Sequence, residues 1–315
     1  MILDTALFPP DQAEPALRSQ AAWTWLVGSG RDEVEAEARR AWCAEHFSDL
    51  ARLTLRRESP GRPHRFRLAH GGVETVAEWN ELGAALASFI PLAASILLDT
   101  SHLGFDSLLY LLPAFAACRP AALSCLYVAP EHFHPIESDG LEVQDTLPIG
   151  QPKGYVALTT EENRTHSRHV VLLGFDKGRA WKFIQRYDWD EAHLHLVVGD
   201  PPFVENGTLI ALDACQPWLE PFRKRYPDHI HALDARDPEQ VRSFLRQQLE
   251  TADWLDIVPL GPKPMLLGVL AFYFELADTE RARVRLLYDF SEQRLPRCDG
   301  ISRIYAWDCA MFAST

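Results

Sequence analysis

The sequence has no run of apolar residues as long as the roughly 18–20 that a membrane-spanning helix requires. Its start, from Met1 to Pro10, also has no basic segment followed by an apolar one, which is the pattern of a secretory leader. Both absences predict a cytoplasmic protein with no membrane partner.

Positive charge is scarce in this chain. Lys and Arg number 31 against 44 Asp and Glu, which gives a formal net charge of −13. No stripe of Lys and Arg interrupts this excess, and an acidic surface repels the phosphate backbones of nucleic acids. We therefore expect no nonspecific binding to DNA.

Cysteines are few and widely spaced, and no two of them form a CxxC pair. The six are Cys43, Cys118, Cys125, Cys215, Cys298 and Cys309. This pattern argues against a zinc ribbon and against a secreted disulfide scaffold, so we expect reduced thiols. The sequence also lacks a GxSxG elbow, an HExxH motif and a P-loop, which weakens the case for an enzyme. No cofactor is predicted.

What the sequence does have is a steady alternation of short apolar runs with segments of helical period. Its 315 residues are 47% hydrophobic, which is typical of a globular chain with two cores. The alternation predicts an α/β fold with parallel-rich sheets covered on both faces by helices. A loop-like stretch between Pro130 and Ser167 divides the chain into two Rossmann-like units, which we assign to 1–150 and 165–315.

The periodicity also assigns the individual elements. The predicted strands are 22–28, 53–57, 64–68, 94–99, 122–128, 169–173, 193–198, 229–233, 254–259 and 284–288. The predicted helices are 32–47, 76–89, 105–117, 178–187, 215–226, 238–251 and 265–276. Strands 94–99 and 254–259 are expected to be central in their sheets.

Two strand-helix-strand segments of the chain have the same length. From Asp99 to Tyr127 is 28 positions and from Leu260 to Tyr288 is also 28, at an offset of 161. Each segment has an apolar strand, a short turn, an aromatic-rich helix and a strand that ends in Leu-Tyr. We infer an internal duplication; the alternative is that any two crossover units share these features.

The turns that follow the strands are the candidate binding sites, because ligands of open parallel sheets bind beyond the carboxyl ends of the strands. Hydroxyl and imidazole groups there can bind a phosphate or a ribose, and a lysine at a helix N-terminus favours an anion. The alternatives are a plain tight turn, helix capping and a solvated lysine. The predicted ligand contacts are Gly28, Ser29, Thr100, Ser101, His102, Gly261 and Lys263.

Three His-x-His pairs could bring two imidazoles to one metal ion, because alternate residues of a strand share a face. They are His132 with His134, His193 with His195, and His229 with His231. The sequence defines no third ligand for any pair. We therefore predict no metal site.

Two crossover-built halves, with Gly261, Pro262, Lys263 and Pro264 before an apolar helix, resemble the CARF-like and SAVED-like sensor domains of prokaryotic antiviral systems. In the SAVED-like case two CARF-like units are fused in one chain. The resemblance implies that Lys263 and the amide of Gly261 contact a phosphate, with Thr100 and Ser101 as their first-half counterparts. At the place of Lys263 the first half has His102.

The resemblance implies a non-catalytic subunit that senses a nucleotide or a cyclic oligonucleotide, or that supports assembly. It would act with a separate effector protein or as a homo-oligomer, since the chain has no room for a fused effector. An enzyme that cleaves a nucleotide through Asp99, Ser101, His102 and Lys263 is the second hypothesis, in which His102 is the base. A structural subunit without a ligand is the third.

Overall fold

The computed structural model describes residues 5–29, 37–59, 62–101, 103–133, 149–155, 166–289 and 298–309. The chain folds into two compact units. The first comprises Met1–His134 together with Glu292–Thr315, and the second comprises Pro135–Ser291. Both units contain helices on parallel-rich sheets, so the predicted α/β class is confirmed.

The elements are numbered along the chain. The strands are β1 (Thr5–Phe8), β2 (Trp25–Ser29), β3 (Ala51–Ser59), β4 (Arg62–His70), β5 (Val73–Glu78), β6 (Ser95–Asp99), β7 (Ala122–Ala129), β8 (His132–Phe133), β9 (Ile149–Gly150), β10 (Ser167–Leu172), β11 (Leu194–Gly199), β12 (Ile230–Leu233), β13 (Trp254–Pro259), β14 (Val284–Leu286), β15 (Tyr288–Asp289), β16 (Cys298–Asp299) and β17 (Arg303–Asp308). The α-helices are α1 (Pro10–Gln20), α2 (Glu37–His46), α3 (Leu82–Phe89), α4 (Phe105–Ala114), α5 (Arg179–Tyr187), α6 (Gly207–Asp213), α7 (Leu219–Arg225), α8 (Pro238–Glu250), α9 (Lys263–Glu275) and α10 (Asp278–Arg281).

The first unit is built on an eight-stranded mixed sheet of order β1-β17-β7-β6-β2-β3-β4-β5. The four inner strands, β7, β6, β2 and β3, are parallel, and antiparallel strands extend the sheet on both sides. One face is covered by α1 and α2, whose Leu17, Trp42 and Phe47 pack on Leu97 and Leu126 of the sheet.

The second unit is built on a five-stranded sheet of order β12-β11-β10-β13-β14 in which every pair is parallel. Helices α5, α6 and α7 cover the face that carries Val171, Leu196 and Val258. The opposite face meets α8, whose Phe244 lies 4.7 Å from His231 between ring centroids. Two covered faces explain why these strands are apolar along their whole length.

The crossover helices α4 and α9 are mostly apolar, apart from Asp106 and Ser107 in the first turn of α4, because both helices are buried along most of their length. All residues of α9 from Pro264 to Tyr273 are buried, and so are all residues of α4 from Phe105 to Leu112. A helix with no polar face can form only inside a core. The prediction that these are the best-enclosed helices is confirmed, as is the interior position of strands β6 and β13.

Several elements differ from the predicted ones. Strand β1, helices α1 and α10 and the two-residue strands β8, β9 and β16 were not predicted. Residues 73–78 form strand β5, and helix α3 begins only at Leu82, so the predicted helix 76–89 started too early. Helix α6 and strand β17 were not predicted. Strand β17 pairs with β7, so the end of the chain belongs to the first unit and not to the predicted unit 165–315. Among the described residues, no helix combines the length and the apolar content that a bilayer crossing requires.

The two sheets share an order of four parallel strands. In the first unit it is β3-β2-β6-β7, and in the second it is β11-β10-β13-β14. In each unit a glycine at the end of the first central strand lies against the end of the other central strand. A Cβ on Gly28 would lie 3.4 Å from the Cβ of Asp99, and a Cβ on Gly174 would lie 2.1 Å from the carbonyl oxygen of Leu260. This shared order supports the inferred duplication.

The contact at Gly174 makes a prediction about stability. A Cβ only 2.1 Å from the Leu260 carbonyl must displace backbone, so we expect Gly174→Ala to lower the free energy of unfolding by about 1–3 kcal/mol or more. Gly261→Ala is the matched control, because its Cβ would meet no atom closer than 3.4 Å and should change stability by less than about 1 kcal/mol. Urea denaturation measures both. Equal losses in the two variants would contradict the packing role of Gly174.

Candidate functional site

Each unit has one place where the order of its parallel strands reverses. In the first unit the chain runs from β2 outward to β3 and returns on the other side of β2 as β6. In the second it runs from β10 outward to β11 and β12 and returns on the other side of β10 as β13. In open parallel sheets the ligand crevice lies at the carboxyl edge beside such a point, next to the turns that follow the two central strands. These two crevices are the candidate sites.

The predicted contact residues lie at these two crevices. Gly28 and Ser29 end β2, and Thr100 and Ser101 follow β6. In the second unit, Gly261 follows β13 and Lys263 is the first residue of α9. The sequence therefore located the turns correctly. His102 lies outside the described residues.

Thr100 and Ser101 join strand β6 to strand β7. The backbone N–H and the hydroxyl of Thr100 both donate to the carbonyl of Leu126, over 2.8 and 2.9 Å. The hydroxyl of Ser101 accepts the N–H of Val128 over 3.0 Å. Both side chains are buried, at 0% and 4% exposure. These two predicted ligand residues thus have structural roles in the sheet.

A buried carboxylate occupies the crevice of the first unit. Asp99 is 5% exposed, and its Oδ1 accepts the N–H of Ser101 over 2.9 Å. The thiol of Cys43, on α2, is directed at Oδ2 with a sulfur-to-oxygen distance of 3.9 Å. Burial raises the pKa of the Cys43 thiol well above its ordinary value, and the Asp99 charge adds to the shift. This thiol is therefore protonated and is not a nucleophile.

Sequence reasoning missed three further charged or polar groups near this crevice. Arg39 is 2% exposed and lies one helical turn before Cys43 on α2. Arg57, near the carboxyl end of β3, forms an ion pair of 2.9 Å with Asp106 in the first turn of α4. Next to it, the hydroxyl of Tyr110 is 2.9 Å from Nδ1 of His64. Asp106 in an otherwise apolar stretch was the available signal, because a carboxylate that is buried in a core is usually paired with a cation.

The crevice of the second unit is uncharged at the corresponding place. Leu260 stands where the first unit has Asp99, and it is 7% exposed. Pro262, the residue before α9, has no polar side-chain atom that could bind the first turn of the helix. The backbone at Gly261 has ordinary dihedral angles, and a Cβ there would meet nothing closer than 3.4 Å. The backbone therefore does not require a glycine at 261, and a Cβ there would be in van der Waals contact with Leu172 and Met265.

A buried ion pair stabilises the same edge of the second sheet. Nε of Arg179, at the start of α5, donates to Asp289 over 2.8 Å, and Asp176 accepts from Nη1 over 3.2 Å. The ring of Tyr288 lies 5.6 Å from the guanidinium carbon. Because two carboxylates neutralise Arg179, it is a structural cation that fixes α5 against β15.

Two of the three histidine pairs lie within the described residues, and of these His229 and His231 both stack on His195. His195 is buried in β11 and contacts His231 of the neighbouring strand, while His193 is exposed in the turn before β11. His134 lies outside the described residues. Within the part of the chain that the structure describes, no three His, Cys, Asp or Glu side chains are grouped so that they could bind one metal ion.

No protein-family model and no curated protein matches the chain. Function is therefore inferred from the geometry described above.

The role of Ser101 can be tested by its removal. Ser101→Ala leaves the buried N–H of Val128 without its acceptor, so we expect the free energy of unfolding to fall by about 1–3 kcal/mol. Ser19→Ala, at an exposed position of α1, is the control and should change stability by less than about 0.5 kcal/mol. Denaturant titration followed by tryptophan fluorescence measures both. A Ser101→Ala variant as stable as the wild type would contradict the structural role of the Ser101 hydroxyl.

Proposed function

We propose that the protein is a non-catalytic nucleotide-sensing or assembly subunit of a prokaryotic antiviral defence system, acting with a separate effector protein. The observation that supports this proposal best is the position of the turn Gly261–Lys263. It follows a central parallel strand where the strand order reverses, and it opens the 13-residue helix α9. Sites of this type bind nucleotides in other open sheets.

The chemistry of this turn favours a phosphate. The first N–H groups of a helix have no partner within the helix, and its N-terminus carries about half a positive charge. Lys263 adds a full charge at the same point. A nucleotide or a cyclic oligonucleotide supplies phosphate oxygens together with a base that can pack on the apolar crevice walls.

The second unit is the better candidate for the anion because its crevice carries Leu260 at the place of Asp99. A buried carboxylate repels a phosphate directly. In the first unit the hydroxyls of Thr100 and Ser101 are also bound to strand β7. We therefore assign ligand binding to the second unit, and to the first unit a role in stability or in assembly with the effector.

The enzyme hypothesis is less well supported than the sensor hypothesis. Its nucleophile would be Ser101, whose hydroxyl is 4% exposed and accepts a backbone N–H. Its acid or base would include Asp99, which accepts the N–H of Ser101 itself. The Ser101 hydroxyl is therefore held by its hydrogen bond to the backbone of β7.

Replacement of Lys263 tests the proposal. If its ammonium binds a phosphate, Lys263→Ala should weaken binding by about 1.5–3 kcal/mol, roughly 10- to 150-fold, because a charge-assisted hydrogen bond is lost. Thermal stability should change by less than about 1 kcal/mol, since Lys263 is partly exposed at the first position of α9 and lies outside the core. Titration calorimetry with mononucleotides and cyclic oligonucleotides measures the affinity.

Lys177→Ala is the control, because Lys177 is exposed in the same unit and pairs with the exposed Asp213. It should leave the affinity unchanged. Chromatography of the recovered ligand separates the hypotheses, because a sensor returns its ligand intact and an enzyme returns product. If no nucleotide binds the wild type, the sensor proposal fails and the ligand-free structural subunit takes its place.

A further inference from the structure

Three imidazoles form a stack beside the edge strand of the second sheet. We call His195, His229 and His231 the histidine stack. The ring of His195 lies 4.5 Å from that of His229 and 5.2 Å from that of His231, between centroids. Nδ1 of His195 and Nε2 of His231 are 3.0 Å apart, and Nδ1 of His229 is 3.0 Å from the carbonyl of Leu194. The stack links β11 to β12 and to the turn before it.

The groups that act electrostatically on His195 are all basic. They are His229, His231, Arg168 and His169, in that order. Arg168, from β10, is bound to the neutral amide of Gln248 on α8, and His169 is paired with Asp256 of β13. From the helices, Phe244 of α8 faces His231, while Phe222 and Tyr226 face His229. Among the described residues, the charged groups that shift the pKa of His195 and of His231 include no carboxylate.

The hydrogen bond between His195 and His231 requires that at least one of the two rings is neutral. An N–H···N bond needs one donor and one acceptor, and a fully protonated pair presents two donors across 3.0 Å. Burial, with the neighbouring histidines, lowers the pKa of His195 to about 3 and also lowers that of His231. The closed stack therefore resists protonation, and acid favours any state in which the rings reach water.

Strand β12 is the element that can leave at low cost. It has four residues, all of them at least partly exposed, and it pairs with β11 alone among the described strands. Its release would leave the central pair β10 and β13 intact. Local opening of a short edge strand needs far less free energy than global unfolding.

We propose that the histidine stack is an acid-sensitive latch that holds strand β12 on the sheet at neutral pH and releases it when the imidazoles are protonated. The direction of the effect follows from linkage. The released state binds protons below about pH 6.5 and the closed state does not, so the latch is fully closed above that pH and opens as the pH falls. This inference does not depend on the proposed function.

Amide hydrogen exchange of the full chain tests the latch, with protection factors used so that the intrinsic pH dependence of exchange is removed. A pKa of about 3 in the closed state against about 6.5 in the open state changes the opening equilibrium roughly thirtyfold at pH 5. We expect the amides of Ile230–Leu233 to lose at least about tenfold in protection between pH 7.5 and 5.0. The amides of Val170–Leu172 in β10 should lose less than about threefold.

The variants His195→Gln and His231→Gln, made separately and together, remove the titrating groups. The double variant should reduce the loss in β12 to less than about threefold. His193→Gln is the matched control, because His193 is exposed two residues from His195, and it should behave as the wild type. If the double variant does not fold, each single variant must reduce the loss by at least about twofold. Equal losses in β10 and β12, or wild-type pH dependence in the variants, would overturn the proposal.

Discussion

Backbone pairing between two buried parallel strands, β2 with β6 and β10 with β13, is the constraint on which the rest of each unit depends. Parallel neighbours cannot be joined by a tight turn, so each pair requires a crossover that passes over one face of the sheet. Helices α4 and α9 form the next such crossover in each unit, from β6 to β7 and from β13 to β14, and both are buried along most of their length. The pairing of β2 with β6 and of β10 with β13 brings the two central strands of each sheet side by side. The same pairing determines where the strand order reverses, and hence where a crevice can open.

The two sheets share the order of four parallel strands, but they differ in their outer strands and in the polar residues that the shared strands carry. The first unit carries Asp99, Arg57 and Asp106 at or near its carboxyl edge. The second carries its most buried carboxylate, Asp256, three residues into β13, where Trp254, His169 and Arg285 all donate to it. A carboxylate with that many donors is satisfied within the protein and stabilises it. Two units with the same order of parallel strands can therefore differ in the polar residues that those strands carry.

The sequence predicts what depends on local pattern and fails where distant partners decide. Apolar runs such as β6 and β13 and the uniform helices α4 and α9 were predicted nearly to their ends. Strand β17 was missed because its partner β7 lies some 170 positions earlier in the chain, beyond any window of periodicity. The same limit applies to the site. The turn at Thr100 and Ser101 was predicted as polar, but its bonds to Leu126 and Val128 depend on the pairing of β6 with β7, which spacing alone does not reveal.

Magnitudes favour the second crevice over the first for an anionic ligand. A helix N-terminus stabilises an anion by about 0.3–1 kcal/mol, and up to about 2 in a partly buried site. A like charge about 4 Å away costs about 4 kcal/mol at the effective dielectric constant of a protein surface. Asp99 therefore outweighs the dipole of α4, and the most that Arg39 on the neighbouring helix can do is cancel that charge. At Leu260 the dipole of α9 and the charge of Lys263 act in the same direction. A chain with two similar crevices is thus expected to bind one anion and not two.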